Sequence, residues 1–218
     1  MIEYRLIRSG RRSLCITVQT DGALVVRAPL FTPVKEIEAF LQQKRNWILQ
    51  KQAAVSPCSF RLEEGALLPY WDGPLTVHIC NIPMAMKYHG HLLAPKCDTL
   101  REVLLWRRAQ AERMLKPRID HWVQVTGLNP ACVRYTNADS RWGSMSGRGT
   151  MSLSAALVHL PPDLCDYVIV HELCHMRQPN HSPAFHTLVR SFLPDADQRR
   201  QAIRGKAAMA ALLTRPKP

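Results

Sequence analysis

The sequence predicts a fold of mixed helix and strand, and three patterns carry that prediction. Apolar residues alternate on both sides of Asp21-Gly22 near the start, the signature of a β-hairpin. Between 99 and 125 they recur at three- and four-residue spacing, the period of a helix with one buried face. From Met151 they alternate with serines, and a helical apolar run follows from Leu164.

Each element can be justified in turn. Leu14, Ile16 and Val18 form the outgoing hairpin strand; Leu24, Val25 and Val26 form the return, which stops before Pro29. A helix is expected from Thr32 as N-cap, with Pro33 at the first helical position and Glu36 in the first turn. Val34, Ile37, Leu41 and Ile48 give it an apolar stripe ending near Lys51. Phe60 to Leu68, Leu75 to Ile79 and Leu92-Leu93 read as short strands, broken by Pro57, Pro69, Asp72-Gly73-Pro74 and Pro83. In the long helix over 99–125, Pro117 predicts a kink or break and Gly127 a stop. A strand around Cys132 to Thr136, a turn-rich stretch from Asn137 to Gly149 and a strand through Met151, Leu153 and Ala155 come next. Pro161-Pro162-Asp163 opens a helix from Leu164 to about Arg177, a shorter one follows Ser182-Pro183, and a polar to Ala-rich helix closes the chain. Trp47, Trp106 and Trp122 fall on helical stripes and are expected in the core.

The chain has 218 residues, enough to bury a sizeable core without disulfides. Its 46% apolar and 21% charged residues are ordinary for a globular protein and argue against disorder. No apolar run approaches the ~20 residues of a membrane-spanning helix, and the first residues lack the apolar core of a secretory signal. A cytoplasmic protein with no membrane partner is expected. Lys plus Arg is 29 against 17 Asp plus Glu, a net charge of +12 that is dispersed along the chain. It fits either solvated helix faces or an anionic partner, nucleic acid or a phosphorylated substrate. Seven cysteines contain no Cys-x-x-Cys pair, which excludes a zinc ribbon and predicts reduced, mostly buried thiols.

The chemistry concentrates at residues 171–175, His-Glu-Leu-Cys-His. On a helix His171 and His175 lie one turn apart on the same face, so both imidazoles can reach one metal ion. Glu172 then points at a metal-bound water rather than at the metal, as zinc hydrolysis requires. Cys174, inside the motif, is expected to pack rather than to ligate. For a third ligand, Pro179 turns the chain and can bring His181 back toward the first two. The rivals are His186, inside the following helix, and the downstream carboxylates Asp195 and Asp197, past Pro194. His181 is favoured because a short turn delivers it without further constraint. Metzincins share the five-residue gap but place Gly where Gln178 stands, and no Met-turn follows here.

The run Asp166 to His175, then Asn180-His181-Ser182 and Phe185, resembles the YgjP-like metallopeptidase family, which is related to the SprT-like and WLM zincins. Arg141-Trp142-Gly143-Ser144, the strand Gly149 to Leu157, the Gly22 hairpin, Ala28-Pro29 and Trp47 also fit, so the likeness covers roughly residues 5–195. Met145, Ser154 and His186 depart from the family's usual Cys, Asn and Trp. The resemblance implies a zincin-like α+β fold: a small twisted sheet packed on the metal-binding helix, with the strand near Met151 to Ala155 flanking the cleft. In that frame 1–98 is a β-rich region with one helix and 99–218 the catalytic region, the two together one compact unit. One zinc ion per chain, held by His171, His175 and His181, and Glu172 as general base are implied. Arg141 and Ser144 line the cleft; Arg141 either stabilises the developing oxyanion or stacks on Trp142.

A zinc metallopeptidase acting on a protein or peptide is therefore the leading expectation. One alternative is a metal-dependent nucleoside triphosphate pyrophosphatase, with Arg134, Arg141, Arg148 and Arg177 around the motif; no phosphate-cradling Gly-rich loop supports it. The other is a protease acting on DNA-bound proteins, as in the SprT and WLM groups, supported by charge alone.

Overall fold

The computed structural model describes residues 3–18, 23–54, 60–210 and 212–213. The chain divides into two compact units, Met1–Ser59 and Phe60–Pro218.

In the first unit, β2 (Cys15–Val18) and β3 (Leu24–Pro29) pair antiparallel as the alternation predicts. The Asp21-Gly22 turn between them lies outside the described residues, as do Pro57 and Cys58. An additional strand, β1 (Arg5–Ser9), runs parallel to β3, giving the order β1-β3-β2. The expected single helix is two, α1 (Val34–Gln43) and α2 (Arg45–Ala54), separated at Lys44 with φ −95° and ψ 7°. Thr32 caps nothing. The Pro33 carbonyl accepts the first helical N–H groups, from Glu36 and Ile37, so the N-cap is Pro33 with an extended backbone. The i→i−4 bonds Lys44 to Phe40 and Ile48 to Lys44 keep the face aligned across this point, and Ile48 joins the core formed by Leu24, Val26, Ala28, Ile37 and Leu41 as the stripe predicts. Trp47, expected in the core, is instead 42% exposed.

The second unit opens with β4 (Leu67–Leu68), β5 (Leu75–Cys80), β6 (Met86–Tyr88) and β7 (His91–Pro95), in the order β4-β5-β7-β6 with β5 and β7 parallel. Of the expected strand Phe60 to Leu68, Leu67–Leu68 pair. Leu68, Leu75, Val77 and Leu92 share one core with Val103, Trp106, Leu115, Ile119 and Trp122 of α3 (Thr99–Thr126). That shared core puts the strands of 67–95 in the same unit as the long helix.

Helix α3 runs unbroken through Pro117, where a kink or break was expected. The proline removes one intrahelical hydrogen bond, and buried Leu115 and Ile119 on either side keep the segment on the core. Gly127 ends the helix in the left-handed region, φ 67°.

A second sheet carries β8 (Cys132–Thr136), β9 (Gly143–Met145) and β10 (Thr150–Ser154) in the order β8-β10-β9. Strand β10 is parallel to β8 and antiparallel to β9, with Ser152 opposite Ser144 and Leu153 opposite Gly143. Both edges of β10 are thus occupied, and β9, drawn from the turn-rich stretch, is the edge strand. A 3-10 turn, Ala155–His159, leads into α4 (Pro162–Cys174), which begins two residues earlier than expected. Then come α5 (Pro183–Phe192), α6 (Ala196–Arg204) and α7 (Ala207–Ala210), so the closing helix is divided. The result is an α+β fold in which α4 packs against β9 and α3.

The thiols are less buried than expected. Cys165 and Cys174 are buried, Cys15 and Cys80 half-buried, and Cys97 and Cys132 exposed, all of them free. Among the described residues no helix is long and apolar enough to cross a membrane.

Candidate metal centre

Helix α4 is apolar nearly all round. Leu164, Cys165, Val168, Ile169, Val170, Leu173 and Cys174 are buried, which fixes its rotation and leaves His171 and His175 on its one open face. The last turn closes through Met176, Arg177 and Gln178, whose N–H groups reach the Leu173 and Cys174 carbonyls. Pro179 then stops the helix, as the sequence predicts. The chain reverses to Ser182, whose Oγ accepts the Phe185 N–H at 3.3 Å and starts α5. His181 sits in that reversal.

The three imidazoles converge. One nitrogen from each of His171, His175 and His181 lies within 4.8 Å of the other two, and Nε2 of His171 is 3.0 Å from Nε2 of His181. Phe185, fully buried, is the floor beneath them, its ring centre 4.8, 4.5 and 5.0 Å from those of His171, His175 and His181. The Nδ1–H of His175 donates to the Gln178 carbonyl at 3.0 Å, which leaves the Nε2 lone pair free to bind. Burial and then the neighbouring His175 and His181 push His171 down to about 3; burial also lowers His175. Both are therefore neutral, the form that ligates.

This donor set fits a zinc ion. Nitrogens at the usual 2.0–2.1 Å in a tetrahedron stand roughly 3.3 Å apart, close to the separation of His171 from His181. The His171 Nδ1 is buried with no hydrogen-bond partner among the described residues. His186 stays outside the cluster, its ring 6.4 Å from that of His181 and its nitrogens 3.4 Å from the Arg200 guanidinium. Asp195 pairs with Arg199 at 2.8 Å, and Asp197 with Arg190 at 3.0 Å and Arg200 at 3.3 Å.

Glu172 is 6% exposed and lies beside the cluster. Burial raises its carboxyl to about 7, against the opposing pull of the Met145 N–H hydrogen bond and the Arg141 charge. A carboxyl poised there can accept a proton and return it near neutral pH. Strand β9 lies directly on it: a Cβ on Gly143 would stand 2.7 Å from Glu172 Oε1.

Two cavities meet at this point. One, of about 520 Å³, runs from Ser144 and Met145 to Gly149 and is closed by His175, Met176 and Pro179. The other, of about 460 Å³, holds Arg141, Trp142 and Tyr167. Gly143, His171, Glu172 and His181 line both. Ser144 thus lines the first cavity and Arg141 the second. Arg134, Arg148 and Arg177 line neither. Stacking of Arg141 on Trp142 is not found among the described residues; the arginine–ring contact there is Arg118 on Trp71. Cys174 is fully buried, away from the imidazole cluster.

Several residues that shape the centre carry no signal of that role in the sequence. Gly143 and Phe185 stand inside motifs whose pattern does not distinguish them. The Gln178 carbonyl is a backbone group no side-chain pattern reveals, and Arg200 and Arg204 come from α6, distant in sequence.

Among curated proteins, nothing matches the chain significantly. Two crystal structures of metallopeptidase zymogens are similar to part of it. Abylysin of Pyrococcus abyssi is 24% identical, with TM-score 0.39 over 43% of this chain and 94% of that one. Jannalysin of Methanocaldococcus jannaschii is 21% identical, with TM-score 0.38 over 42% of this chain and 95% of that one. The sequence profile of the YgjP-like, metallopeptidase domain covers residues 12–206, nearly the whole chain, and the protein belongs to that family of metallopeptidases.

Proposed function

We propose that the protein is a zinc-dependent peptidase of zincin type, with His171, His175 and His181 as the metal ligands and Glu172 as general base. The observation that carries this reading is the convergence of three imidazole nitrogens beside a buried carboxyl raised to about 7. Bound there, zinc would supply Lewis acidity, lowering the pKa of a water toward ~7 and polarising a scissile carbonyl.

The chain's own residues do the rest. His171 and His175 present neutral nitrogens, His181 supplies the third nitrogen, and the Gln178 carbonyl fixes the tautomer and tilt of His175. The carboxylate of Glu172 takes the proton of the attacking water and delivers it to the departing amine. Met145 N–H keeps that carboxylate in place. An extended peptide adds to the open edge of β9, the mode in which main-chain hydrogen bonds supply affinity. Ser144 faces it within the first cavity, and Arg141 offers positive charge to the developing oxyanion.

The test is incubation of zinc-loaded protein with an unfolded protein, with nucleoside triphosphates and with a DNA-bound protein, each beside Glu172→Gln. Cleavage of the unfolded protein, with zinc kept but cleavage lost in the variant, is the expected result. Triphosphate hydrolysis without proteolysis overturns the peptidase reading.

A further inference from the structure

The two cavities that meet at the histidine cluster differ in charge. The lining of the first, along Ser144 to Gly149, contains no arginine or lysine. The second is walled by Trp142, Tyr167 and Ile203 and carries Arg141, Arg200 and Arg204. Its one lining carboxylate is Glu172, at the junction with the metal centre.

The three arginines are under-compensated. Arg200 shares the single carboxylate of Asp197 with Arg190, at 3.3 and 3.0 Å. Arg141 and Arg204 have no carboxylate partner among the described residues. They come from different parts of the chain, Arg141 from the approach to β9 and the other two from successive turns of α6. Guanidinium groups whose carboxylate partner is shared or absent, around an aromatic-walled hollow, suit a planar anion.

We propose that this half of the cleft is a carboxylate-reading subsite, so that the enzyme selects peptides presenting a carboxylate beside the scissile bond on the Arg204 side. The proposal rests on the peptidase reading above and adds the substrate class. An extended chain lying along β9 crosses the metal centre and enters the arginine-lined half. There an acidic side chain, or the free C-terminus of the peptide, meets Arg204 and Arg200. A triphosphate is the poorer fit: its several charges would meet the Glu172 carboxylate at the junction, whereas one carboxylate needs only the arginines.

The test uses the zinc-loaded full chain and matched fluorogenic peptides. One set carries a single Glu or Gln at successive positions on either side of the cleaved bond, with an amidated C-terminus. A second set has no acidic side chain and ends in a free carboxylate or an amide. The expected result is that Glu at one or two positions on one side, or the free terminus, raises kcat/KM about 10-fold over its neutral match, chiefly through KM. The set that shows the gain identifies the source of the carboxylate. In Arg200→Met/Arg204→Met the ratio of acidic to neutral peptide should collapse toward one. Should that variant misfold, Arg204→Glu, at an exposed position, should invert the preference toward a Lys peptide.

Binding of the labelled peptides to zinc-loaded Glu172→Gln, followed by anisotropy, separates the two claims. An arginine-dependent preference for the acidic peptide without cleavage by the parent enzyme retains the subsite and sinks the peptidase reading. Equal binding and equal cleavage of acidic and neutral peptides overturns the subsite, as does an acidic preference that survives the arginine changes. Displacement of the acidic peptide by adenosine triphosphate at lower concentration than by the peptide itself overturns it in favour of a phosphate site.

Discussion

Gly143 lies so close to the Glu172 carboxylate that no side chain fits between them. A Cβ at Gly143 would stand 2.7 Å from Oε1, 2.8 Å from Cγ and 3.0 Å from Cδ of Glu172. The approach lets the edge strand β9 run directly over the end of α4 and bring the Met145 N–H to the carboxyl. The glycine in Arg141-Trp142-Gly143-Ser144 is therefore a requirement of packing, and its backbone needs no left-handed conformation.

Gly143→Ala should displace Glu172 by a few tenths of an ångström or more while leaving the three imidazoles in place. Misplacement of a reacting group on the 1 Å scale costs on the order of 10²-fold in rate. The expected outcome is kcat/KM down by roughly that factor at unchanged zinc content, measured by elemental analysis of the purified variant. A fully active alanine variant would show that Glu172 does not need its present position.

His181→Ala should lose zinc, and His186→Ala should keep it. One nitrogen of His181 lies within the 4.8 Å cluster, whereas His186 faces the Arg200 guanidinium at 3.4 Å, a cation that opposes a second one nearby. Zinc titration with a competing chelator reads the difference. Retention by His181→Ala together with loss by His186→Ala would exchange the two assignments.

The legible parts were those set by local rules. The spacing of His171 and His175, the Pro179 turn and the Ser182 cap are short-range patterns, and they suffice to bring His181 to the other two. Pairings between distant segments were not legible. Strand β1 joins β3 across a gap in which nothing marks a partner, and β9 hides in a run of turn residues because Gly143-Ser144-Met145 has no alternation of its own. Pro117 does not break α3, because its penalty is local while the burial that keeps the helix continuous is tertiary. Trp47 misled because it only adjoins the stripe: Ile37, Leu41 and Ile48 share one buried face, and Trp47 lies about 100° round from Ile48. At the site, nothing in the sequence marks Arg200 and Arg204 as lining, since only the packing of α6 on α4 carries them there.

The clamp between α3 and α4 gives a stability prediction. Arg118 donates from Nε to Asp166 Oδ1 at 2.7 Å and from Nη2 to Oδ2 at 2.5 Å, while its guanidinium lies over the Trp71 ring. Asp166 is five residues before His171 on the helix that carries the centre. A bidentate, partly buried pair of this kind contributes on the order of 2 kcal/mol. Arg118→Met, which keeps the stem and loses the fork, should destabilise by about that amount in urea unfolding and leave zinc stoichiometry intact. A change below about 0.5 kcal/mol would class the pair with ordinary surface bridges.

His159 gives a prediction for pH. It is buried at the end of the 3-10 turn, its Nδ1–H donating to the Pro69 carbonyl at 2.6 Å. Burial, helped by the charge of buried Arg107 and opposed by the Pro69 bond, pushes it from 6.5 down to about 4. Above the unfolded value the imidazole is neutral in both states and adds nothing to the pH dependence. Between 6.5 and about 4 the unfolded chain takes up a proton that the folded chain refuses, so stability falls as pH falls. Below that window both states carry the proton and the loss levels off, at about 3 kcal/mol in all. Near pH 5 the loss should already be about 2 kcal/mol. His159→Gln keeps a donor for Pro69 and removes the titration. Urea unfolding of zinc-free protein near pH 7.5 and near pH 5 cancels the common contribution of the cluster histidines, because they are present in both proteins. The wild type should lose about 2 kcal/mol more than His159→Gln over that interval. Equal losses would mean that folded His159 takes up its proton as readily as it does unfolded, which its burial beside the Arg107 guanidinium forbids.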